Sequence, residues 1–245
     1  MPRHFPLAAV LFFANVVPIV ASPLTFSVEH YPVDGIPWEL TSGDYNGDGV
    51  QDLAALIWAN PSYISLFFGT GLGDFSPGPV MVLSNPAPDV NLISGDFDED
   101  GRDEVAALSY GSILFFHINR DNTSGAVSEF RSFPLIPELT AVADFDLDGH
   151  LDLVLASGNY ISRGLLKYLP GDGRDGFGPP IFKELSASPN AITAGDVDGD
   201  GLLDIVVANN SPPTVDFLLG HGDGSFANAI PAFPWSEVDE WIPVC

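Results

Sequence analysis

Four aspartates, Asp196, Asp198, Asp200 and Asp204, crowd into the stretch GDVDGDGLLDIVVA (195–208), where their charges repel one another at neutral pH. The crowding recurs. DYNGDGVQD starts at Asp44, DFDEDGRDE at Asp96, DFDLDGHLD at Asp144 and DVDGDGLLD at Asp196, in steps of 52, 48 and 52 residues. Side-chain oxygens at positions 1, 3 and 5 of each copy, a main-chain carbonyl at position 7 and a closing carboxylate at position 9 (Asp52, Glu104, Asp152, Asp204) can surround one hard cation. Such an ion takes about 6–8 oxygens at roughly 2.3–2.6 Å, and its charge offsets the repulsion. The glycine at position 6 (Gly49, Gly101, Gly149, Gly201) permits the positive φ that turns the chain around an ion. Calcium suits this set best: magnesium demands a tighter octahedron, and no Cys or His cluster offers softer ligands. An EF-hand is excluded, because position 12 of each copy holds Ala55, Ala107, Leu155 or Val207 where that loop needs a bidentate Glu.

The flanking segments read as strands. Each acidic loop runs into an apolar stretch (LAALIWA, VAALSY, LVLASG, IVVANN), and a second strand-like run then leads to a turn: LFFGTGLGDF, LFFHINRDNTSG, KYLPGDGRDGFG and LLGHGDGSF. The unit is a loop joining two strands, a turn and more strand. With 25 glycines, 22 prolines and 46% hydrophobic residues in 245, the chain reads as all-β with enough apolar surface for a sizeable core. Its 33 acidic against 8 basic side chains, a formal charge of −25, exclude nucleic acid and anionic lipid surfaces as partners.

The pattern D-x-[DN]-x-D-G-x-x-[DE], an apolar strand, and then a turn of the type LLGHGDGSF (218–226) resembles the FG-GAP or VCBS repeat of integrin-α-like β-propellers, over about residues 24–245. The resemblance implies a β-propeller-type array of four-stranded antiparallel blades, with a calcium loop between two adjacent strands of each blade and about four calcium ions. The ligands it implies are Asp44, Asn46, Asp48, the Val50 carbonyl and Asp52; Asp96, Asp98, Asp100, the Arg102 carbonyl and Glu104; Asp144, Asp146, Asp148, the His150 carbonyl and Asp152; and Asp196, Asp198, Asp200, the Leu202 carbonyl and Asp204. The second unit departs twice: Glu104 has a longer arm than Asp, and its turn, HINRDNTSG, lacks the glycine pattern. FSVEHYPVDGIPWELTSGD near the start and FANAIPAFPWSEVDEWIPVC at the end resemble the same half of a unit, which gives about four blades plus a half-blade. Two arrangements follow: an incomplete, open arc of a longer propeller, or a smaller ring in which the half-blade closes the circle or pairs with another chain.

Residues 1–22 read as a signal peptide: Arg3 and His4 precede an apolar run interrupted by Asn15 and Pro18 and ending near Ala21 and Ser22, which is short for a membrane span. Residues 23–245 form the repeat domain. Its one cysteine, Cys245, makes no internal disulfide, so an exported chain must take rigidity from bound ions. GDGRDG (171–176) matches a dinucleotide fingerprint only by letters, since FGPP follows in place of a helix. The histidines at 4, 30, 117, 150 and 221 read as surface or turn residues, and Phe67, Phe68, Phe115 and Phe116 as core between blades. Asn122 in NTS is a glycan acceptor only in a eukaryotic secretory route, and Trp38, Trp235 and Trp241 are candidates for stacking on sugars. No nucleophile elbow, zincin motif or distinguishable catalytic acid pair is present. The expectation is a secreted or cell-surface calcium-binding module, with a periplasmic site as the variant, that binds an extracellular protein or carbohydrate and is not an enzyme. Two other readings stand beside it: an accessory or catalytic propeller of a lyase-like carbohydrate-active enzyme, and a structural piece of a longer cell-surface protein that self-associates or continues beyond these residues.

Overall fold

Side chains of Tyr63–Gly69 alternate between half-buried and fully buried, the period-2 signature of a strand with one face against a core. Glu104–Ser109 is different. All six side chains are buried, so both faces of that strand are covered. These two patterns alternate through a computed structural model that describes residues 30–83, 90–109, 112–131, 139–159, 162–227 and 230–231. The signal-peptide reading of residues 1–22, Trp235, Trp241 and Cys245 lie outside the described residues.

Sixteen strands form four sheets, each an antiparallel meander of consecutive strands. The first holds β1 (Ile36–Gly43), β2 (Asp52–Trp58), β3 (Tyr63–Gly69) and β4 (Phe75–Val82); the second holds β5 (Asn91–Gly95), β6 (Glu104–Ser109), β7 (Ser112–Ile118) and β8 (Ser124–Arg131). The third holds β9 (Leu139–Ala143), β10 (Asp152–Asn159), β11 (Ser162–Leu169) and β12 (Ile181–Glu184); the fourth holds β13 (Ser188–Gly195), β14 (Asp204–Ser211), β15 (Pro213–Leu218) and β16 (Ile230–Pro231). The sheets are the blades of a β-propeller, with β1, β5, β9 and β13 as successive neighbours. Of the segment read as opening a fifth unit, Phe226 packs between the third and fourth blades and Ile230–Pro231 is the last strand of the fourth, while residues 228–229 and 232–245 lie outside the described residues.

Among the described residues, three apolar interfaces join the four blades. In the first, Leu56, Ile64, Leu66 and Phe68 meet Leu92, Val105, Ala107 and Phe116. Ala106, Leu108, Ile113 and Phe115 face the other way, onto Leu153, Leu155, Leu169 and Phe177. In the third, Val154, Leu166 and Tyr168 meet Ile205, Val207, Leu218 and Phe226. Alternate residues of β6 thus serve opposite neighbours, which is why its middle, Val105–Leu108, is an unbroken apolar run. Phe68, Phe115 and Phe116 are buried as expected, whereas Phe67 is only half-buried.

In every blade the acidic loop joins the first two strands and the turn joins the last two, so the meander brings loop and turn to the same end. The approach is close enough to require glycine. A Cβ built on Gly69, Gly171 or Gly220 would stand 2.3, 2.1 or 2.1 Å from the carbonyl oxygen of Gln51, Leu151 or Leu203. Gly171→Ala is accordingly expected to lower stability by about 1–3 kcal/mol in urea denaturation, while Gly195→Ala, whose added carbon meets nothing within 4 Å, leaves it unchanged.

Candidate metal centre

Local backbone chemistry shapes the four loops before any ion is considered. The N–H of the position-6 glycine donates to the first aspartate: Gly49 to Asp44 Oδ2 at 2.8 Å, and Gly101, Gly149 and Gly201 to Asp96, Asp144 and Asp196 Oδ2 at 3.0 Å each. The N–H of position 7 donates to the position-5 aspartate, from Val50, Arg102, His150 and Leu202 to Oδ1 of Asp48, Asp100, Asp148 and Asp200 at 2.8–3.1 Å. Position-6 glycines have φ of 83°, 85°, 95° and 89°. Position 4 is also left-handed. It is glycine in two loops, but Glu99 and Leu147 adopt φ of 59° and 62° in the others, a strain of order 1–3 kcal/mol that the sequence pattern did not reveal.

The closing acids are buried: Asp52, Asp152 and Asp204 are fully inaccessible and Glu104 nearly so. One oxygen of each accepts the position-2 N–H, from Tyr45 at 3.1 Å and from Phe97, Phe145 and Val197 at 2.8 Å. In three blades the second oxygen accepts a glycine N–H from the end of the third strand: Gly69 at 2.8 Å, Gly171 at 2.7 Å and Gly220 at 2.8 Å. Burial raises the pKa of Asp52, Asp152 and Glu104 above the ordinary carboxylate value, and Asp96 shifts the same way for the same reason.

Oxygens of Asp144, Asp146 and Asp152 lie within 4.8 Å of one another, as do those of Asp196, Asp198 and Asp204 and those of Asp96, Asp98 and Asp100. The donors of the third and fourth loops are all oxygen, which fits a hard divalent ion. Asn46 takes the place of an acid in the first loop and leaves it less charged; its Nδ2 donates to Asp48 Oδ2 at 3.1 Å and to Asn122 Oδ1, on the turn of the second blade, at 3.0 Å. The second loop departs most. There Nδ1 of His117 lies within the same 4.8 Å of oxygens from Asp98 and Glu104, and the Arg102 guanidinium binds both oxygens of Asp100.

Four contributors were not legible as site residues. The Tyr168 hydroxyl lies 2.9 Å from Asp146 Oδ2 and 3.0 Å from Asp152 Oδ2, and burial with those acids pushes its pKa well above the phenol range. Asp103 Oδ2 accepts the Asp44 N–H at 2.8 Å, tying the first loop to the second. His117, expected at the surface, is largely buried, and Asp175 and Glu104 raise its pKa to about 10. Asp175 itself sits on the turn of the third blade, and its N–H reaches the Phe97 carbonyl at 3.2 Å. Each of these pairs joins residues distant in sequence, so no local motif announces them.

With divalent ions removed, Asp52, Asp96, Glu104 and Asp152 bind protons more tightly in the folded chain than in the unfolded one, so stability rises as pH falls toward the ordinary values of 3.8 for Asp and 4.5 for Glu. His117 acts in the same sense over a higher window: its contribution is complete below 6.5 and lost as pH rises through about 10. Asp100, lowered by Arg102, has the opposite sense, but its window lies below 3.8. The Tm of the chelated protein is expected to rise steadily from about pH 9 to about pH 6, as read by circular dichroism; a flat or falling profile would contradict this electrostatic account.

The FG-GAP-like repeat family matches residues 44–107, 96–155 and 144–207, each match running from one acidic loop into the strand after the next. Cartilage acidic protein 1 of Homo sapiens and that of Mus musculus are each 27% identical over 145 residues, which is 53% of this chain. The matched stretch spans 22% of those curated relatives. Among solved structures, a lectin from Agrocybe aegerita, described as specifically recognising non-reducing terminal N-acetylglucosamine, superimposes with a TM-score of 0.56 at 18% identity, over 78% of this chain and 52% of the lectin. That likeness shows the propeller fold.

Proposed function

The chain belongs to the FG-GAP-like repeat family, and on that premise we propose that it is a calcium-stabilised interaction module, exported to the cell exterior, that binds a carbohydrate or protein partner and performs no chemistry of its own. The observation that carries the calcium reading is the convergence of oxygen donors on a buried closing carboxylate, most complete in the third and fourth loops. An ion held there would join the first and second strands of its blade through residues that also contact the third. Asp144, Asp146 and Asp152 would hold it in the third blade, and Asp196, Asp198 and Asp204 in the fourth. Its charge would take up the repulsion that the loop hydrogen bonds leave in place.

Two features support a carbohydrate among the partner classes. A cavity of about 550 Å³ is lined by Glu39, Asn91, Thr140, Ser157 and Asn190, side chains that can exchange hydrogen bonds with hydroxyl groups. Beside Glu39 in β1, Trp38 stands exposed and meets Trp58 edge to face with ring centroids 5.8 Å apart. The solved lectin of the same fold binds a sugar, which agrees with this choice.

Calcium at about ten times its dissociation constant is expected to stabilise the chain by roughly 1.4 kcal/mol per ion, raising Tm by about 2–4 °C for each kcal/mol. Asp152→Asn should remove one bound ion by calcium titration and reduce that rise. A Tm indifferent to both calcium and chelator would end the calcium reading. Screening the purified chain against polysaccharides tests the partner: saturable binding without turnover supports the module, and catalysed cleavage would replace it with the lyase-like reading.

A further inference from the structure

The second loop differs from the other three in linked places. Strand register puts Phe68, His117, Pro170 and Leu219 at one equivalent position and Gly69, Ile118, Gly171 and Gly220 at the next. A side chain at the glycine positions would collide with a carbonyl, so Ile118 cannot follow the path of its counterparts. The closing acid has changed with it. Glu104 is one methylene longer than Asp, and its second oxygen, relieved of a glycine N–H, faces His117 Nδ1 at 3.4 Å.

Asp98 Oδ2 lies 3.6 Å from the same nitrogen. Both separations exceed the ~2.7–3.2 Å of an N–H···O hydrogen bond. They approach instead the roughly 3.3–3.4 Å between two ligands that each stand about 2.0–2.1 Å from a tetrahedral ion. The far side of the ring is firmly held: Nε2 is 2.9 Å from Asp175 Oδ2, which also accepts the Ser128 hydroxyl at 2.5 Å. A carboxylate on the remote nitrogen is the arrangement that fixes the tautomer and orientation of a metal-binding histidine. Asp96 Oδ1, in the same loop, is buried without a hydrogen-bond partner. Arg102 holds Asp100 and donates to the Ile118 carbonyl at 2.7 Å, withdrawing position 5 from the donor set.

Calcium is bound by oxygen, whereas imidazole among carboxylates suits a borderline transition ion. We propose that the second loop is a zinc-class site, with His117 Nδ1, Asp98 and Glu104 as ligands and Asp175 as the group that positions the imidazole, and that it does not take calcium. It stands independently of the calcium reading of the other loops.

The test titrates the full chain, stripped with chelator, with Zn²⁺ by calorimetry in the presence and absence of excess Ca²⁺, and repeats it with Co²⁺ to read ligand-field absorption. One zinc per chain, undisplaced by calcium, and a tetrahedral cobalt spectrum are the expected results. His117→Phe, which installs the residue type of Phe68, should abolish that binding, and Asp175→Asn should weaken it about 10–100-fold. If His117→Phe does not fold, Asp175→Asn and the cobalt spectrum of the unaltered chain decide. Absence of stoichiometric zinc, displacement of zinc by calcium, or unchanged zinc affinity in the variants overturns the assignment. Calcium uptake by the zinc-loaded chain is measured separately, so failure of the calcium reading would show as a different result.

Discussion

A buried carboxylate at the start of each blade's second strand is the constraint from which the local architecture follows. Asp52, Asp152 and Asp204 are each the first residue of a strand whose continuation is apolar core. A charge in that place is tolerated only if its oxygens are fully engaged. Two backbone N–H groups do this from different directions, one from the loop just before and one from the end of the third strand. Meeting the second demand brings the third strand so close to the preceding backbone that only glycine fits. The identity of Gly171 and the path of the loop from Asp144 are thus two consequences of one buried acid.

This accounts for what the sequence made legible. The ligand spacing, the position-6 glycines and the apolar runs are all local, and each produced the loop, turn or strand that its chemistry implies. What escaped notice was set by the placement of one blade on the next. Nothing in KYLPGDG marks Tyr168 as a site residue, and only the packing of β11 beside β10 brings its hydroxyl to Asp146 and Asp152. His117 gave no metal-pair spacing because its neighbours, Asp98, Glu104 and Asp175, come from a loop, a strand start and the next blade's turn. The division of β6 between two interfaces was likewise invisible, since an unbroken apolar run does not say which neighbour each residue meets.

The second blade shows how such constraints move together. A glycine replaced by Ile118, an aspartate lengthened to Glu104 and a histidine between them are separate letters in the sequence, yet in space they are one adjustment. Departures from a repeat are better judged by what they touch than by how many there are. Arg102 belongs to the same group, because its guanidinium reaches both Asp100 and the carbonyl of Ile118.

The gathering of acidic loops and turns at one end of every blade also divides the molecule by tolerance to change. At that rim, Asn46 touches Asn122, Asp175 touches Phe97 and Glu99 touches His150 across blade boundaries, so an inserted residue would disturb two blades at once. The connections between second and third strands and from one blade to the next carry none of the repeated acid motif in their sequence. The acidic rim is held to its register by its own neighbours, so variation is expected first in those connections.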